Sequence, residues 1–278
     1  MSSPGRLGLH IEDGIASVML DNPAQRNALT RDMCLQLRDL MPRLDADQNV
    51  TIVTLRGVGD TFCAGASLAE LSSVLMDDDG SGNTIDRLSE ADDAITSVSK
   101  PTLALVDGAC MGGGWQLASA CDFIVASERS LFAITPAKLG IIYPRPGIER
   151  LIRQVGPATA KYILFTAETY GAVRAQTLGL VAEVVSDGRF ADRCVALAET
   201  IRDRSRFSTF HLKRLVDGTA ADDPELESTW EQAWASMADN PDLAIGVEAF
   251  MRREMPVFTW RETPEDLHGE RQRMVRSQ

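Results

Sequence analysis

The sequence predicts an α/β protein whose amino-terminal part alternates strands with helices and whose carboxy-terminal part is helical. Two short apolar runs followed by a helical pattern recur three times before residue 140, which is typical of layered α/β folds. From Gly147 onward the periodicity is helical. No linker separates the two parts, so we expect a core over residues 1–200 and an appended helical region over residues 201–278.

The first elements are a hairpin and a capped helix. Alternating runs at residues 7–11 and 15–20 flank Glu12-Asp13-Gly14, a pattern that predicts two strands joined by a tight turn. Thr30 then stands where the N-cap of a helix is expected. The helix presents one apolar face, formed by Leu35, Leu37, Leu40, Met41 and Leu44.

The middle of the chain repeats this order. A strand is expected over residues 51–56, and Ser67 with Glu70 forms a capping-box pattern that predicts a helix start. Residues 76–83 read as a polar loop, and residues 85–98 as a helix. An apolar strand, 101–106, leads into three glycines and a further helix, followed by strands at 122–126 and 131–134.

The remaining pattern predicts consecutive helices. Gly156-Pro157 reads as a helix start, because proline is favoured in the first turn. Helical periodicity covers residues 190–201, 206–216 and 224–238. Asn240-Pro241 starts the last predicted helix, which extends to about residue 253.

Composition and charge exclude several classes of function. With 44% hydrophobic and 24% charged residues the composition is globular, and no apolar run is long enough to span a bilayer. A net charge of −12 argues against general nucleic-acid binding, which needs a basic face. The five scattered cysteines form no paired motif, so no disulfide framework or metal site is expected. Without an apolar signal segment at residues 1–6, we expect a cytoplasmic location.

Two glycine-containing bends point to an oxyanion site. Residues 112–114 are consecutive glycines, which allow a sharp turn and the close approach of a ligand. The first amides of a helix have no partner within the helix and lie at its positive end. The amide of Ala66 lies at the other bend, so two amides can point at one oxygen. The alternative is a glycine-rich turn that serves packing alone.

These two segments resemble the crotonase (enoyl-CoA hydratase/isomerase) superfamily. The matching patterns are Phe-Cys-Ala-Gly-Ala-x-Leu at 62–68 and Asp-Gly-x-Cys-x-Gly-Gly-Gly-x-x-Leu-Ala-x-x-Cys-Asp at 107–122, and the resemblance runs from about residue 7 to about 258. It implies a core of ββα turns arranged as a spiral. It also implies carboxy-terminal helices that assemble a homotrimer, or a hexamer of two trimers. The amides of Ala66 and Gly113 would hold the thioester oxygen of an acyl-CoA as it becomes an enolate.

The resemblance also implies where coenzyme A lies, as part of the substrate and with no separate cofactor or metal. Residues 25–29 match the family's CoA-binding loop, and the last helix is expected near the adenine and phosphates. The alternatives are a solvated loop charge at position 26, a core aromatic at position 250, and arginines that only complement the helix end. The implied CoA contacts are Arg26, Ala28, Leu29, Ala64, Phe250 and Arg253.

The acids that the family's hydratases carry are missing. Their two positions hold Gln116 and Ala137. Glutamine does not exchange a proton at neutral pH, and alanine has no functional group. Because hydration needs an acid and a base, ordinary hydration by these positions is not expected.

Residues 135–148 resemble another branch of the family. Their pattern, Thr-Pro-x-x-Leu-Gly-x-x-Tyr-x-x-x-Gly-Ile, is similar to methylmalonyl-CoA decarboxylases, in which the tyrosine faces the acyl group. Decarboxylation needs an electron sink and a group that orients the carboxylate. Tyr143 can donate a hydrogen bond to that carboxylate, and Gln116 can hold a water or the substrate.

Three interpretations therefore stand together. The first is an acyl-CoA enzyme that forms a thioester enolate, by decarboxylation of a malonyl-type substrate. The second is a hydratase or isomerase in which another acid has moved into the site. The third is an acyl-CoA binder without catalysis, which kept the fold and lost the acids. For Tyr143 itself the alternative is a structural tyrosine whose hydroxyl has a backbone partner.

Overall fold

The computed structural model describes residues 5–78, 80–263 and 266, in which parallel strands lie between layers of helices. The strands are β1 (Arg6–Glu12), β2 (Ile15–Asp21), β3 (Ile52–Gly57), β4 (Asp77–Asp78), β5 (Thr84–Ile85), β6 (Thr102–Val106), β7 (Ala109–Met111), β8 (Phe123–Ser127), β9 (Leu131–Ala133), β10 (Tyr170–Gly171) and β11 (Glu183–Val185). The helices are α1 (Arg31–Ala46), α2 (Leu71–Leu75), α3 (Arg87–Thr96), α4 (Gly113–Ala120), α5 (Pro136–Leu139), α6 (Arg145–Thr166), α7 (Ala172–Thr177), α8 (Phe190–Arg202), α9 (Arg206–Ala220), α10 (Leu226–Ala238) and α11 (Pro241–Arg252).

The strands form one large sheet and two small ones. The large sheet has the order β1-β2-β3-β6-β8-β11, with β1 antiparallel to β2 and parallel pairing from β2 onward. Strand β6 is buried along its whole length, as expected for a parallel strand covered on both faces. A second sheet has the strand order β10-β9-β7, and β7 immediately precedes α4 in the chain. Strands β4 and β5 pair in a short ribbon.

The predicted amino-terminal elements are confirmed. Strands β1 and β2 pair from Arg6–Asp21 to Glu12–Ile15 across the predicted turn. The Thr30 hydroxyl accepts a hydrogen bond from the Met33 amide at 3.2 Å and so caps α1. On the predicted apolar face Leu35 and Leu40 are half-buried, and three side chains are buried: Leu37, Met41 and Leu44.

Two local predictions differ from the structure, and a third is confirmed in an altered form. The predicted capping box is wrong, because α2 begins at Leu71 and neither Ser67 nor Glu70 caps it with a side chain. The predicted loop over 76–83 instead contains β4 and leads into β5, with residue 79 outside the described residues. The predicted helix start at Gly156-Pro157 is confirmed: α6 consists of two helical stretches separated by a kink at Gly156, which has a non-helical φ of +74°, and Pro157 begins the second stretch.

The carboxy-terminal region is helical as predicted, through α8, α9, α10 and α11. The predicted region 201–278 extends past residue 266, so its last part lies outside the described residues. The Arg206 guanidinium, buried at the start of α9, pairs with the Glu262 carboxylate and donates to the Gln48 carbonyl at 2.9 Å. Across the described ranges, no helix combines the length and apolar character needed to cross a membrane.

A buried ion pair joins the helices around α4. Arg150 on α6 donates to both carboxylate oxygens of Asp92 on α3, at 2.6 and 3.0 Å. The same guanidinium contacts the hydroxyls of Ser119 on α4 at 3.3 Å and Thr96 at 3.1 Å. The Asp92 side chain is 0% exposed, so its charge depends on this partner.

We predict that Arg150→Met lowers the free energy of unfolding by about 3–5 kcal/mol, because it leaves a buried carboxylate without its cation. The matched control is Arg145→Met on the same helix, whose partner Glu149 forms an ion pair that is 85% and 46% exposed. That change should cost about 0–1 kcal/mol. Urea unfolding measures both, and equal losses would contradict the role given to Arg150.

Candidate active site

A cavity of about 220 Å³ opens beside the first residues of α4. The turn before α2, helices α2 and α3, and the segment from β9 to α6 supply its walls. Most of the lining is apolar. The lining residues are Ala64, Gly65, Ala66, Leu68, Leu71, Leu75, Leu88, Gly112, Gly113, Thr135, Pro136, Leu139, Ile141, Tyr143 and Pro144.

The amides of Ala66 and Gly113 lie side by side at this cavity. A Cβ built on Gly113 would lie 3.4 Å from the Ala66 nitrogen, and one built on Gly65 would lie 3.8 Å from the Gly113 nitrogen. The Leu29 amide donates to the Gly65 carbonyl and the Ser67 amide to the Leu29 carbonyl, both at 2.8 Å. These two hydrogen bonds use the Gly65 carbonyl and the Ser67 amide, on either side of Ala66. The Ala66 amide takes part in neither bond. Gly113 begins α4, so its amide has no acceptor within the helix.

Backbone contacts bring the two segments together. The Cys63 amide donates to the Ala109 carbonyl, and the Met111 amide donates to the Cys63 carbonyl, each at 2.9 Å. Only glycine fits at Gly114, because a Cβ there would lie 2.6 Å from the Cβ of Cys63. Gly65 adopts φ +108°, which side chains disfavour. The glycines that the sequence marked therefore serve both the turn and the close approach.

Tyr143 lines the cavity but has a backbone partner. Its hydroxyl donates to the Gly112 carbonyl at 3.1 Å. The backbone amide of Gln116 donates to the same oxygen, also at 3.1 Å, as a helical hydrogen bond. The side chain is 6% exposed, and burial raises the pKa of its hydroxyl well above the ordinary value. Tyr143 is therefore a neutral hydrogen-bond donor at any physiological pH.

The positions of the missing acids lie outside the cavity lining. Gln116 is 0% exposed, and neither its Oε1 nor its Nε2 has a hydrogen-bond partner among the described residues. It lies behind the wall, next to Gly112. Ala137 is exposed on α5. Within the described part of the chain, the lining contains no carboxylate.

Sequence reasoning missed Thr135. Its side-chain oxygen lies 3.3 Å from where a Cβ on Gly112 would stand, and it does not cap α5. It lines the same wall as Tyr143. The sequence did contain a signal for Thr135, because it is the first residue of the 135–148 pattern from which Tyr143 was predicted. The apolar lining from α2 and α3 has no comparable local signal.

The predicted CoA residues divide into two groups. Arg26 is exposed in a left-handed turn with φ +51°, and its carbonyl accepts from the Ala64 amide at 3.0 Å. Ala28 and Leu29 are buried, at 8% and 0% exposure. These four residues therefore lie together next to the cavity.

The other group lies elsewhere. Phe250 is 83% exposed and borders a separate groove between α9 and α11, with Phe207 and Phe258. Arg253 ends α11 with φ +58°. Neither Phe250 nor Arg253 lines the cavity of its own chain. The exposure of Phe250 also shows that it is not a core residue.

Comparison with known proteins agrees with the fold. The family model described as enoyl-CoA hydratase/isomerase matches residues 10–261. A putative enoyl-CoA hydratase from Thermus thermophilus is 32% identical, covering 90% of this chain and 100% of the relative. A peroxisomal Delta(3,5)-Delta(2,4)-dienoyl-CoA isomerase from Arabidopsis thaliana is 30% identical, covering 89% of this chain and 93% of the relative.

Solved structures give the same result. The crystal structure of an enoyl-CoA hydratase/isomerase family member superposes with a TM-score of 0.92 at 57% identity, over 95% of this chain and 100% of that one. A family protein from Hyphomonas neptunium, described as putative, gives 0.81 at 32% identity, over 94% and 100%. The predicted crotonase fold is confirmed, and the chain belongs to the enoyl-CoA hydratase/isomerase family.

Proposed function

We propose that this enzyme stabilises a thioester enolate with the amides of Ala66 and Gly113, and that it forms the enolate by decarboxylating a malonyl- or methylmalonyl-type CoA ester. One observation carries the choice of reaction. The described cavity lining offers two backbone amides and the hydroxyls of Thr135 and Tyr143, but no carboxylate. That set can bind charge and can orient a carboxylate, but it has no residue suited to act as a general base.

The amides act as the electron sink. When CO2 leaves, the C–C bond electrons move to the α-carbon and into the thioester carbonyl, whose oxygen becomes negative. Two fixed donors in an apolar cavity favour that charge more than they favour the ground-state carbonyl. Losing one such donor typically raises a barrier by about 2.7–4 kcal/mol, so this is the largest single contribution.

Tyr143 and Thr135 are suited to orient the departing carboxylate. The bond from Tyr143 to the Gly112 carbonyl is 3.1 Å long, whereas hydroxyl bonds are usually about 2.7–2.8 Å. A carboxylate accepts a stronger, charge-assisted bond than a neutral carbonyl. The hydroxyl proton can therefore turn from Gly112 to the substrate.

Glutamine at position 116 supports an anionic acyl group. A glutamate there would place a negative charge at a fully buried position of α4, one turn after the Gly112 and Gly113 that line the cavity, since Gln116 is 0% exposed. Two like charges about 4 Å apart repel by about 4 kcal/mol at an effective dielectric constant of about 20. The neutral amide removes this penalty. The enolate is then protonated at the α-carbon by water, and the hydroxide left behind combines with CO2 as bicarbonate.

The CoA part of the substrate is proposed to lie along the exposed residues Arg26 and Ala64, while the buried Ala28 and Leu29 support this loop from below and do not contact CoA with their side chains. In a chain of net charge −12, the phosphates need a local cation, and Arg26 is exposed beside the cavity. Phe250 and Arg253 could contact CoA only from a neighbouring subunit of a trimer or hexamer. Their exposure at the end of α11 supports that placement.

Hydration or double-bond isomerisation is the second candidate. It is favoured by the names of the relatives from Thermus thermophilus and Arabidopsis thaliana. It requires an acid that reaches the acyl carbons from outside the described lining. Binding of acyl-CoA without turnover is the third possibility that the experiment below distinguishes.

We expect methylmalonyl-CoA or malonyl-CoA to release CO2 when incubated with the protein, followed as bicarbonate by a coupled assay. Crotonyl-CoA, followed by loss of its conjugated absorbance, should be hydrated slowly or not at all. Hydration at a normal rate without CO2 release would overturn the decarboxylase proposal in favour of the second candidate. Tight binding of both esters without turnover would favour the third.

We predict that Tyr143→Phe lowers kcat for decarboxylation by about 10- to 150-fold, the effect of losing a hydrogen bond to a charged group. Dissociation constants for acetyl-CoA should change little, because that ester has no free carboxylate. Tyr162→Phe is the matched control, since its ring is 47% exposed and its hydroxyl contacts Glu168. Equal losses of catalysis and of acetyl-CoA binding would argue for a structural Tyr143.

We also predict that Gln116→Glu weakens the binding of malonyl-CoA more than that of acetyl-CoA, because only the former carries a second negative charge at the acyl end. Gln154→Glu adds the same charge at an exposed position of α6 and should affect both esters equally. Calorimetric dissociation constants compare the two variants. An identical ratio of affinities in Gln116→Glu and Gln154→Glu would contradict the argument from charge.

A further inference from the structure

Helix α2 forms one wall of the acyl cavity with little support from its own sequence. Leu71 and Leu75 face the cavity, and Val74 is its buried residue. The helix has five residues, whereas isolated helices shorter than about 12–15 residues are marginal in water. Contacts from outside α2 must therefore hold it in place.

Both ends of α2 are attached to one arginine, the first residue of α1. The Glu70 carboxylate, just before α2, accepts the Arg31 backbone amide at 3.1 Å. The Asp77 carboxylate, just after α2, accepts the Arg31 Nε at 2.8 Å. The main chain and the side chain of Arg31 thus bracket the helix, and α2 is fixed to α1 at each end.

A second arginine fixes the same carboxylate to α3. The Arg87 Nε donates to the Asp77 carboxylate at 2.6 Å, and the Arg87 Nη1 donates to the Glu90 carboxylate at 3.0 Å. Arg87 is 7% exposed, so this contact is shielded from solvent. Its hydrogen bond lowers the pKa of the Asp77 carboxyl, so the pairing favours the charged form of the aspartate. Asp77 therefore connects the end of α2 with the first residues of α1 and α3.

The position of α2 sets the size of the cavity. Leu88, one residue after Arg87 on α3, lines the same cavity as Leu71 and Leu75 on α2. At about 220 Å³ the cavity is smaller than the ~300–1,000 Å³ of sites for drug-sized ligands, which suits a short acyl group. Movement of α2 away from α3 would enlarge it.

We propose that Asp77 is a specificity-determining residue: by fixing α2 to Arg31 and Arg87 it restricts the site to short acyl chains. The inference rests on the acyl cavity of the proposed function, but not on which reaction occurs there. Because it concerns the binding of the acyl chain, it is tested by affinity and by helix mobility, not by turnover.

The test compares acetyl-CoA, butyryl-CoA and octanoyl-CoA by calorimetry. The unaltered protein should bind the two short esters more tightly than octanoyl-CoA. Asp77→Ala should reduce this preference by about tenfold, comparable to the discrimination that one or two methylenes produce in an apolar pocket. Asp77→Asn, which keeps the shape and loses the charge, should lie between them. An unchanged preference in both variants would overturn the proposal.

Asp39→Ala is the matched control, because Asp39, whose side chain is 65% exposed, forms an ion pair on α1 with Arg38, whose side chain is 40% exposed. It should leave the chain-length preference unchanged, and an equal effect there would overturn the proposal. Hydrogen exchange supplies a second readout: amides of residues 71–76 should exchange faster in Asp77→Ala than in Asp39→Ala. If no ester binds the unaltered protein, the proposed function is wrong, while the exchange result still decides whether Asp77 fixes α2.

Discussion

The close approach of two backbone segments, 63–66 and 110–114, is the constraint on which the site depends. Their contact at Gly114 leaves no room for a side chain, since a Cβ would lie 2.6 Å from Cys63. Hydrogen bonds from Cys63 to Ala109 and from Met111 to Cys63 keep the segments in register. As a result, Ala66 and Gly113 line the same cavity. The remaining elements hold this contact in place and surround it with apolar walls.

The polar groups around the cavity suit an anionic substrate. The described lining has hydroxyls and amides but no carboxylate, and burial raises the pKa of Tyr143 further above its ordinary value. Gln116 is buried with neither of its polar atoms paired within the described chain, which is unusual for a side chain that has only a packing role. These groups are the basis of the proposed decarboxylation, in which the substrate itself supplies the electron pair.

Local patterns were reliable where a residue's partner lies close in sequence. The hairpin of β1 and β2 and the Thr30 cap were predicted correctly, because turn and cap residues meet partners within a few positions. The capping box at Ser67 and Glu70 was wrong for the complementary reason. The Ser67 hydroxyl donates to the Gln25 side chain, and the Glu70 carboxylate accepts the Arg31 amide, so distant groups took both side chains of the motif.

The sequence by itself determined the fold family, the glycine bends and the absence of the two acids, because these depend on residue identity at motif positions. Only the tertiary structure decided that Tyr143 contacts Gly112, that Thr135 lines the cavity, and that Phe250 lies away from it. The same holds for the ion pairs, since Asp77 meets Arg31 and Asp92 meets Arg150 across 46 and 58 residues. Contacts at such separations depend on how helices pack, and no local periodicity encodes that.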